Sequence, residues 1–204
     1  MRRIPLSRRS HVTGFQPIGC RAVEHESALE RDFVTLTTFS DPEAEIVSQP
    51  VTIHFERDGM ARRYTPDFLV RWSAGGVDLV EIKYWSDLRV QWDRLRPAFV
   101  AARAWAREHG ARFRIVTERR IRGPELANAK RLLPLRLGPM DDEACAVVLK
   151  AARTLAAPTL AELISTLPLD RTIALSTVWR VIARGLLRTD LSRVVQIDTR
   201  VWAP

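Results

Sequence analysis

A chain of 204 residues, 46% hydrophobic and 27% charged, can bury one good core or two small ones and is too apolar to stay disordered. Its apolar stretches are broken by charges before the roughly 18 residues of a membrane span, and neither its two cysteines, Cys20 and Cys145, nor its four histidines have the spacing of a disulfide framework or a zinc site. The net charge of +8 is unevenly spread: residues 1–22 carry +5, residues 23–88 carry −7 from 6 basic and 13 acidic side chains, residues 89–140 carry +9 and residues 141–204 carry +1. An acidic block between two basic ones suits an enzyme that gathers carboxylates around cations while arginines hold a phosphate backbone.

Taken in chain order, residues 1–22 are a basic arm without periodicity, expected to order on DNA. No apolar segment follows the first arginines, so a secretory signal is not expected and the protein reads as cytoplasmic. Residues 23–122 read as an α/β domain. A helix is expected from Glu26, with Leu29, Phe33 and Leu36 on one face, capping-box spacing between Ser27 and Glu30, and a stop at Asp41-Pro42. Val51, Ile53 and Phe55 alternate with polar residues, Asp58-Gly59 is a hairpin turn, residues 64–72 are a second strand and residues 77–84 a third, together an antiparallel meander.

A long helix is expected over 88–108, with Trp92, Leu95, Phe99, Ala102 and Ala106 on one face, and then a strand at 113–117. The helix would be a crossover, which makes the central sheet mixed. Past Gly123-Pro124 the pattern turns helical, at 125–133, 141–155, 159–167 and 176–184, followed by a β-like tail holding Val194, Val195, Ile197 and Val201. Helix, turn, helix and wing over 123–204 describe a winged helix-turn-helix domain.

The chemistry concentrates in Tyr64-Thr65-Pro66-Asp67-Phe68 and Val80-Glu81-Ile82-Lys83. On a strand Glu81 and Lys83 point one way while Val80, Ile82 and Tyr84 point the other. A carboxylate and an ammonium side by side in a sheet either act on something or form an ion pair on an edge strand, because burying either unpaired costs several kcal/mol. Asp67 and Glu81 offer hard oxygen ligands for one or two Mg²⁺ ions, with Mn²⁺ as a substitute. Lys83 would orient or help deprotonate the attacking water and neutralise charge on the phosphate. Arg89, Arg94, Arg96, Arg119 and Arg120 are expected to contact the phosphates of double-stranded DNA, with Arg103, Arg107, Arg112, Arg114 and Arg122 as further candidates. Trp72, Trp85, Trp92 and Trp105 are expected in the core.

Proline-aspartate on one strand and Glu-x-Lys on the next resembles the PD-(D/E)xK nucleases, with their restriction-endonuclease-like fold. The surrounding residues are Ser27-Ala-Leu-Glu30-Arg-Asp-Phe33, Phe39-Ser-Asp-Pro42, Gln49-Pro50, Tyr64-Thr-Pro-Asp67-Phe-Leu-Val70 and Val80-Glu-Ile-Lys83. In that order, over about residues 15–120, they resemble the TnsA family, the endonuclease subunit of heteromeric cut-and-paste transposases. The resemblance implies that Glu30 is a further catalytic carboxylate, joining Asp67 and Glu81 as metal ligands; the alternative for Glu30 is plain helix capping. It also implies cleavage of the strand ending 5′ at the transposon boundary, a DDE-type transposase that processes the 3′ ends, an AAA+ ATPase regulator, and a winged-helix C-terminal domain. Some members carry Gln where this chain has Glu81, and Gln49-Pro50 matches a family feature read here as structural. The alternatives are another restriction or repair nuclease of the same fold, or a non-catalytic DNA-binding or assembly subunit.

Overall fold

Ser27 stops the chain from entering a helix early and starts it cleanly: its Oγ accepts the Glu30 N–H at 3.1 Å, and α1 (Ala28–Ser40) follows with Leu29 and Phe33 buried. The helix ends where expected, at Asp41, whose N–H bonds the Thr37 carbonyl at 2.8 Å before Pro42 removes the next donor. This is a computed structural model, and it describes residues 14–18 and 21–204. Much of the basic arm therefore lies outside the described residues. The part of it that is described is not an irregular arm: β1 (Gly14–Ile18) pairs antiparallel with β2 (Arg21–His25).

The central sheet has the order β3 (Glu45–Ser48), β6 (Phe68–Arg71), β7 (Val77–Ile82), β8 (Arg112–Val116). The first two pairings are antiparallel and the last is parallel, so the sheet is mixed, in an α/β arrangement compatible with a nuclease fold. The parallel partner is reached through α2 (Trp85–Val90) and α3 (Trp92–Glu108), the crossover such a pairing requires. The helix expected as one piece is two, divided at Gln91, although the Gln91 N–H still bonds Asp87 at 2.9 Å.

The expected three-strand meander is corrected. β4 (Ile53–Arg57) and β5 (Met60–Tyr64) form a ribbon of their own, closed by Asp58 and Gly59 at φ 53° and 69°, the left-handed pair that a tight hairpin turn needs. The single strand expected over 64–72 is broken by Thr65-Pro66-Asp67, because Pro66 has no N–H for a ladder. Its second half, β6, pairs instead with β3, a segment whose burial is too incomplete to leave an alternating signature.

Register sets the two layers of this unit. Leu69 sits opposite Leu79 and Phe68 opposite Val80, so the two pairs face opposite sides of the sheet. Leu69 and Leu79 pack on Ala102 and Ala106 of α3, whose small side chains let the helix approach closely. On the other side Phe33 of α1 stacks on Phe68 with ring centroids 5.6 Å apart. Each such fully buried large side chain is worth about 2 kcal/mol. The unit closes with α4 (Glu118–Ile121) and ends at Arg122.

Gly123–Pro204 form a second compact unit. It contains α5 (Pro124–Arg136), α6 (Asp142–Thr154), α7 (Leu160–Thr166), α8 (Arg171–Ala183) and two short antiparallel strands, β9 (Arg188–Thr189) and β10 (Val201–Trp202). Thr159 and Glu162 form a full capping box on α7, and Asp170 caps α8, which begins five residues before the sequence pattern suggests. Leu160, Leu163, Val178, Val181, Leu187 and Val201 make its core. Among the described residues no helix is long and apolar enough to cross a membrane.

Candidate active site

β7 is flanked by β6 on one side and β8 on the other, so its Glu81 and the adjoining Lys83 are not an edge-strand pair. The face that carries them begins apolar, with Val77 and Leu79, and becomes charged only at its end. There β6 has run out as a partner: its ladder with β7 starts at Phe68 opposite Val80, while β8 continues alongside Glu81 and Ile82. The Ile82 N–H on the vacated side is taken by Asp67 Oδ2 at 2.6 Å. The proline that stops the ladder thus places the following aspartate where a backbone donor is free.

Glu81 is buried at 3% exposure. Its carboxylate is held from both ends, by the Tyr64 hydroxyl at 2.6 Å and by Lys83 Nζ at 2.9 Å. Lys83 is half-buried, and its N–H extends the parallel ladder to the Val116 carbonyl at 3.1 Å. Glu30 lies in the first turn of α1, where Oε2 accepts the Glu26 N–H at 2.7 Å and Oε1 accepts the Ser27 hydroxyl at 2.8 Å. It therefore carries a capping role in this conformation. The backbone N–H it reaches back to is that of Glu26 rather than that of the cap residue Ser27, a variant of the expected capping box.

The electrostatics tie these groups together. Burial, then the charges of Glu81 and Glu30, push the Asp67 carboxyl well above its ordinary value, against the pull of the Ile82 N–H and Lys83. Burial also raises Glu30, against its hydrogen bonds from Glu26 and Ser27. For Lys83 burial works against the charge, but Glu81 and Asp67 more than offset it and the ammonium is raised above an ordinary lysine. Tyr64 is raised as well, first by burial and then by Glu81. Three carboxylates thus share one electrostatic neighbourhood with one lysine. Among the described residues, however, no three acidic, histidine or cysteine side chains converge as a ready metal cage; Glu30, Asp67 and Glu81 are each held by separate donors.

The arginines divide into two groups. Arg89, Arg96, Arg119 and Arg120 are exposed; so is Arg94, which hydrogen-bonds Gln91. Arg112 and Arg114 are committed to Asp78, which is fully buried, at 3.1 and 3.2 Å, with Trp72 Nε1 donating to the same carboxylate at 2.9 Å. Arg122 pairs with buried Asp32 at 3.1 Å. These three hold the fold together. The expectation that the tryptophans are core fails at two positions: Trp85 and Trp92 are 37% and 43% exposed.

Two residues belong to the site that the sequence did not mark. Tyr64 reaches Glu81 from the end of β5, and its ring packs edge-on to Phe99 at 6.0 Å. Gln49 has a left-handed backbone, φ 45°, donates its N–H to the Asp67 carbonyl at 2.8 Å and its Nε2 to Glu26 at 2.9 Å. Its Oε1 is buried without a partner among the described residues. A strained non-glycine residue that bridges the Asp67 loop and the start of α1 is a feature of functional sites. The Tyr64-x-x-Asp67 spacing and the Gln49-Pro50 pair were the available signals.

A mixed α/β sheet whose central strand ends in a buried Glu-x-Lys, beside a Pro-Asp turn, is compatible with a nuclease fold. Residues 44–118 match the family model described as TnsA-like endonuclease N terminal. That segment is similar to the N-terminal domain of the TnsA-like endonucleases. Asp67, Glu81 and Lys83 fall inside the matched span and Glu30 precedes it. No curated protein matches the chain.

Proposed function

We propose that this chain is a metal-dependent DNA endonuclease that hydrolyses phosphodiester bonds at transposon ends, on the 5′ side. Glu30, Asp67 and Glu81 are its metal ligands, Mg²⁺ is the working ion with Mn²⁺ as substitute, and Lys83 acts at the phosphate. The observation that carries this reading is the gathering of Asp67, Glu81 and Lys83 at the end of a central strand, with Glu30 within electrostatic range, inside an endonuclease-family domain.

The donor set fits a hard divalent cation: all three ligands are carboxylates, and their mutual repulsion at Asp67 is what a bound positive charge relieves. When bound, such an ion supplies positive charge at the scissile phosphate and makes a coordinated water more acidic. The chain's own residues do the remainder. Lys83 stays charged beside Glu81, which favours neutralising the phosphate oxygens and orienting water over removing a proton. Tyr64 fixes Oε2 of Glu81 and the Ile82 N–H fixes Oδ2 of Asp67, which leaves Asp67 Oδ1 to face a ligand, while Glu81 Oε1 would share its charge between Lys83 and the metal. Glu30 would exchange its capping bonds for the metal.

The exposed Arg89, Arg94, Arg96, Arg119 and Arg120 would hold the DNA backbone. In the second unit, α6, α7, α8 and the β9–β10 ribbon, with the single bridge between Thr159 and Arg200, follow the order of a winged helix-turn-helix. We read it as the module that meets DNA or an AAA+ regulator, while a DDE-type transposase processes the 3′ ends.

The test is strand cleavage of labelled duplex DNA carrying candidate transposon ends, with Mg²⁺ or Mn²⁺ and with the neighbouring transposase and ATPase subunits supplied. Wild type should cut the 5′ side and Lys83→Ala should not. No cleavage by either protein, beside 3′ processing in the same tube, would leave a binding or assembly subunit.

A further inference from the structure

Two residues beyond Lys83, the exposed Trp85 opens α2, and its N–H donates to Glu118 Oε2 at 2.7 Å. That bond ties the start of α2 to the start of α4, and it brings the next residue, Arg119, over the indole, with the guanidinium carbon 4.7 Å from the ring centroid. One residue before Trp85 and three after Arg119, a second stack sets Arg122 5.5 Å over the exposed Tyr84 ring, with Asp32 anchoring the arginine. The two stacks differ in what their cations have left to give. Arg122 is committed to a buried carboxylate, whereas Arg119 is exposed and, among the described residues, makes no hydrogen bond or ion pair.

We propose that Trp85 and Arg119 form a preset phosphate clamp for the DNA strand leading away from the scissile bond, with Tyr84 and Arg122 as its buttress. This rests on the reading of the site as a DNA endonuclease. A guanidinium held over an aromatic ring is restrained by that contact while its N–H groups stay free to donate, which suits a bidentate hold on a phosphate. Trp85 is at most about 7 Å along the chain from Lys83, the axial rise of roughly two nucleotides. Arg120, by contrast, stacks on no ring among the described residues and would contribute only general attraction.

Binding of the full chain to a fluorescein-labelled duplex, followed by anisotropy in Ca²⁺ over a series of salt concentrations, separates the possibilities. Arg119→Ala should weaken binding roughly fivefold or more and lower the slope of log affinity against log salt by about one. Arg119→Lys and Trp85→Leu should keep the slope, since the charge remains, yet lose roughly threefold in affinity, since the stacked fork is gone. A lysine variant equal to wild type, or an alanine variant with unchanged affinity and slope, would overturn the clamp. Melting curves identify a variant that has failed to fold, and the two Arg119 variants, exposed and outside the core, keep the test decisive if Trp85→Leu does. If wild type cuts DNA in Mg²⁺ while every variant binds like wild type, only the clamp falls; a wild type that neither binds nor cuts removes the underlying reading as well.

Discussion

Tyr64 donates its hydroxyl to Glu81 Oε2 at 2.6 Å, so the last residue of the β4–β5 ribbon fixes a carboxylate on the central strand. Lys83 takes the other oxygen at 2.9 Å. A buried carboxylate that loses one of two donors is left partly unsatisfied, at about 1–3 kcal/mol. Tyr64→Phe should therefore lower stability in urea unfolding by that order and slow cleavage without abolishing it, because the ligand set is intact. Unchanged stability would mean that the hydroxyl does not hold Glu81 in solution.

Asp67 has the opposite relation to stability. Its folded carboxyl is raised well above the ordinary value, by burial first and then by Glu81 and Glu30. A raised acid binds its proton more tightly in the fold, so its contribution to stability is present below the unfolded value and is lost as pH rises through the folded one. In metal-free protein Asp67→Asn should raise the melting temperature at neutral pH, with the gain vanishing near about pH 4, and it should abolish cleavage. A variant that melts lower at neutral pH would make the residue a structural support rather than a ligand held in readiness.

Gln49 tests strain. Its φ of 45° is costly for any residue but glycine, by about 1 kcal/mol, while its bond to Glu26 is exposed and worth less. Gln49→Gly should leave stability near wild type and Gln49→Ala should lower it, and both should slow cleavage by loosening Asp67 against α1. Thermal melts and single-turnover rates on the same preparations decide it; full activity in both would confine Gln49 to a structural turn.

Arg112 and Arg114 are strand residues that converge on one fully buried carboxylate, Asp78. Either arginine alone can neutralise it, and both are more than half exposed, so each single alanine variant should cost about 1 kcal/mol or less. Removing both leaves a buried charge held, among the described residues, by Trp72 alone, and the double variant should lose a further few kcal/mol, well beyond the sum. A double-mutant cycle in urea that proves additive would refute the shared role. DNA affinity of the single variants should stay close to wild type.

The limits of the sequence are visible in these same residues. Asp67, Glu81 and Lys83 were legible because they lie on adjacent segments of one sheet, where a short motif carries the juxtaposition. Tyr64 was not, since its role needs the break at Pro66 that sends β5 into a separate ribbon. The Asp78 to Arg112 and Arg114 contacts depend on the parallel register of β7 with β8, set by a crossover whose length the sequence shows and whose alignment it does not. Trp92 was misread because an amphipathic stripe was extended over a helix that is two helices, and Trp85 because the first of them starts ahead of the span where that stripe was read. β3 has no alternation to read, for none of its residues but Ser48 is fully buried.

In the second unit one side chain does the work of a strand. Asn128, on α5 and 1% exposed, donates Nδ2 to the carbonyls of Leu191 at 3.1 Å and Arg193 at 2.7 Å, and its Oδ1 accepts the Val195 N–H at 2.9 Å. Residues 191–195 form no regular ladder, so these backbone groups depend on the amide for partners. Asn128→Ala should cost about 2–3 kcal/mol through the groups it orphans. Asn128→Asp keeps the acceptor for Val195 but sets a carboxylate against two carbonyls, so it should cost more at neutral pH than in acid, where the protonated form regains one donor. Urea unfolding at two pH values, with amide exchange at Val195, reads both effects. Losses below about 0.5 kcal/mol, or an aspartate variant indifferent to pH, would mean that the segment is held by its apolar contacts, Val195 chief among them, and not by the amide.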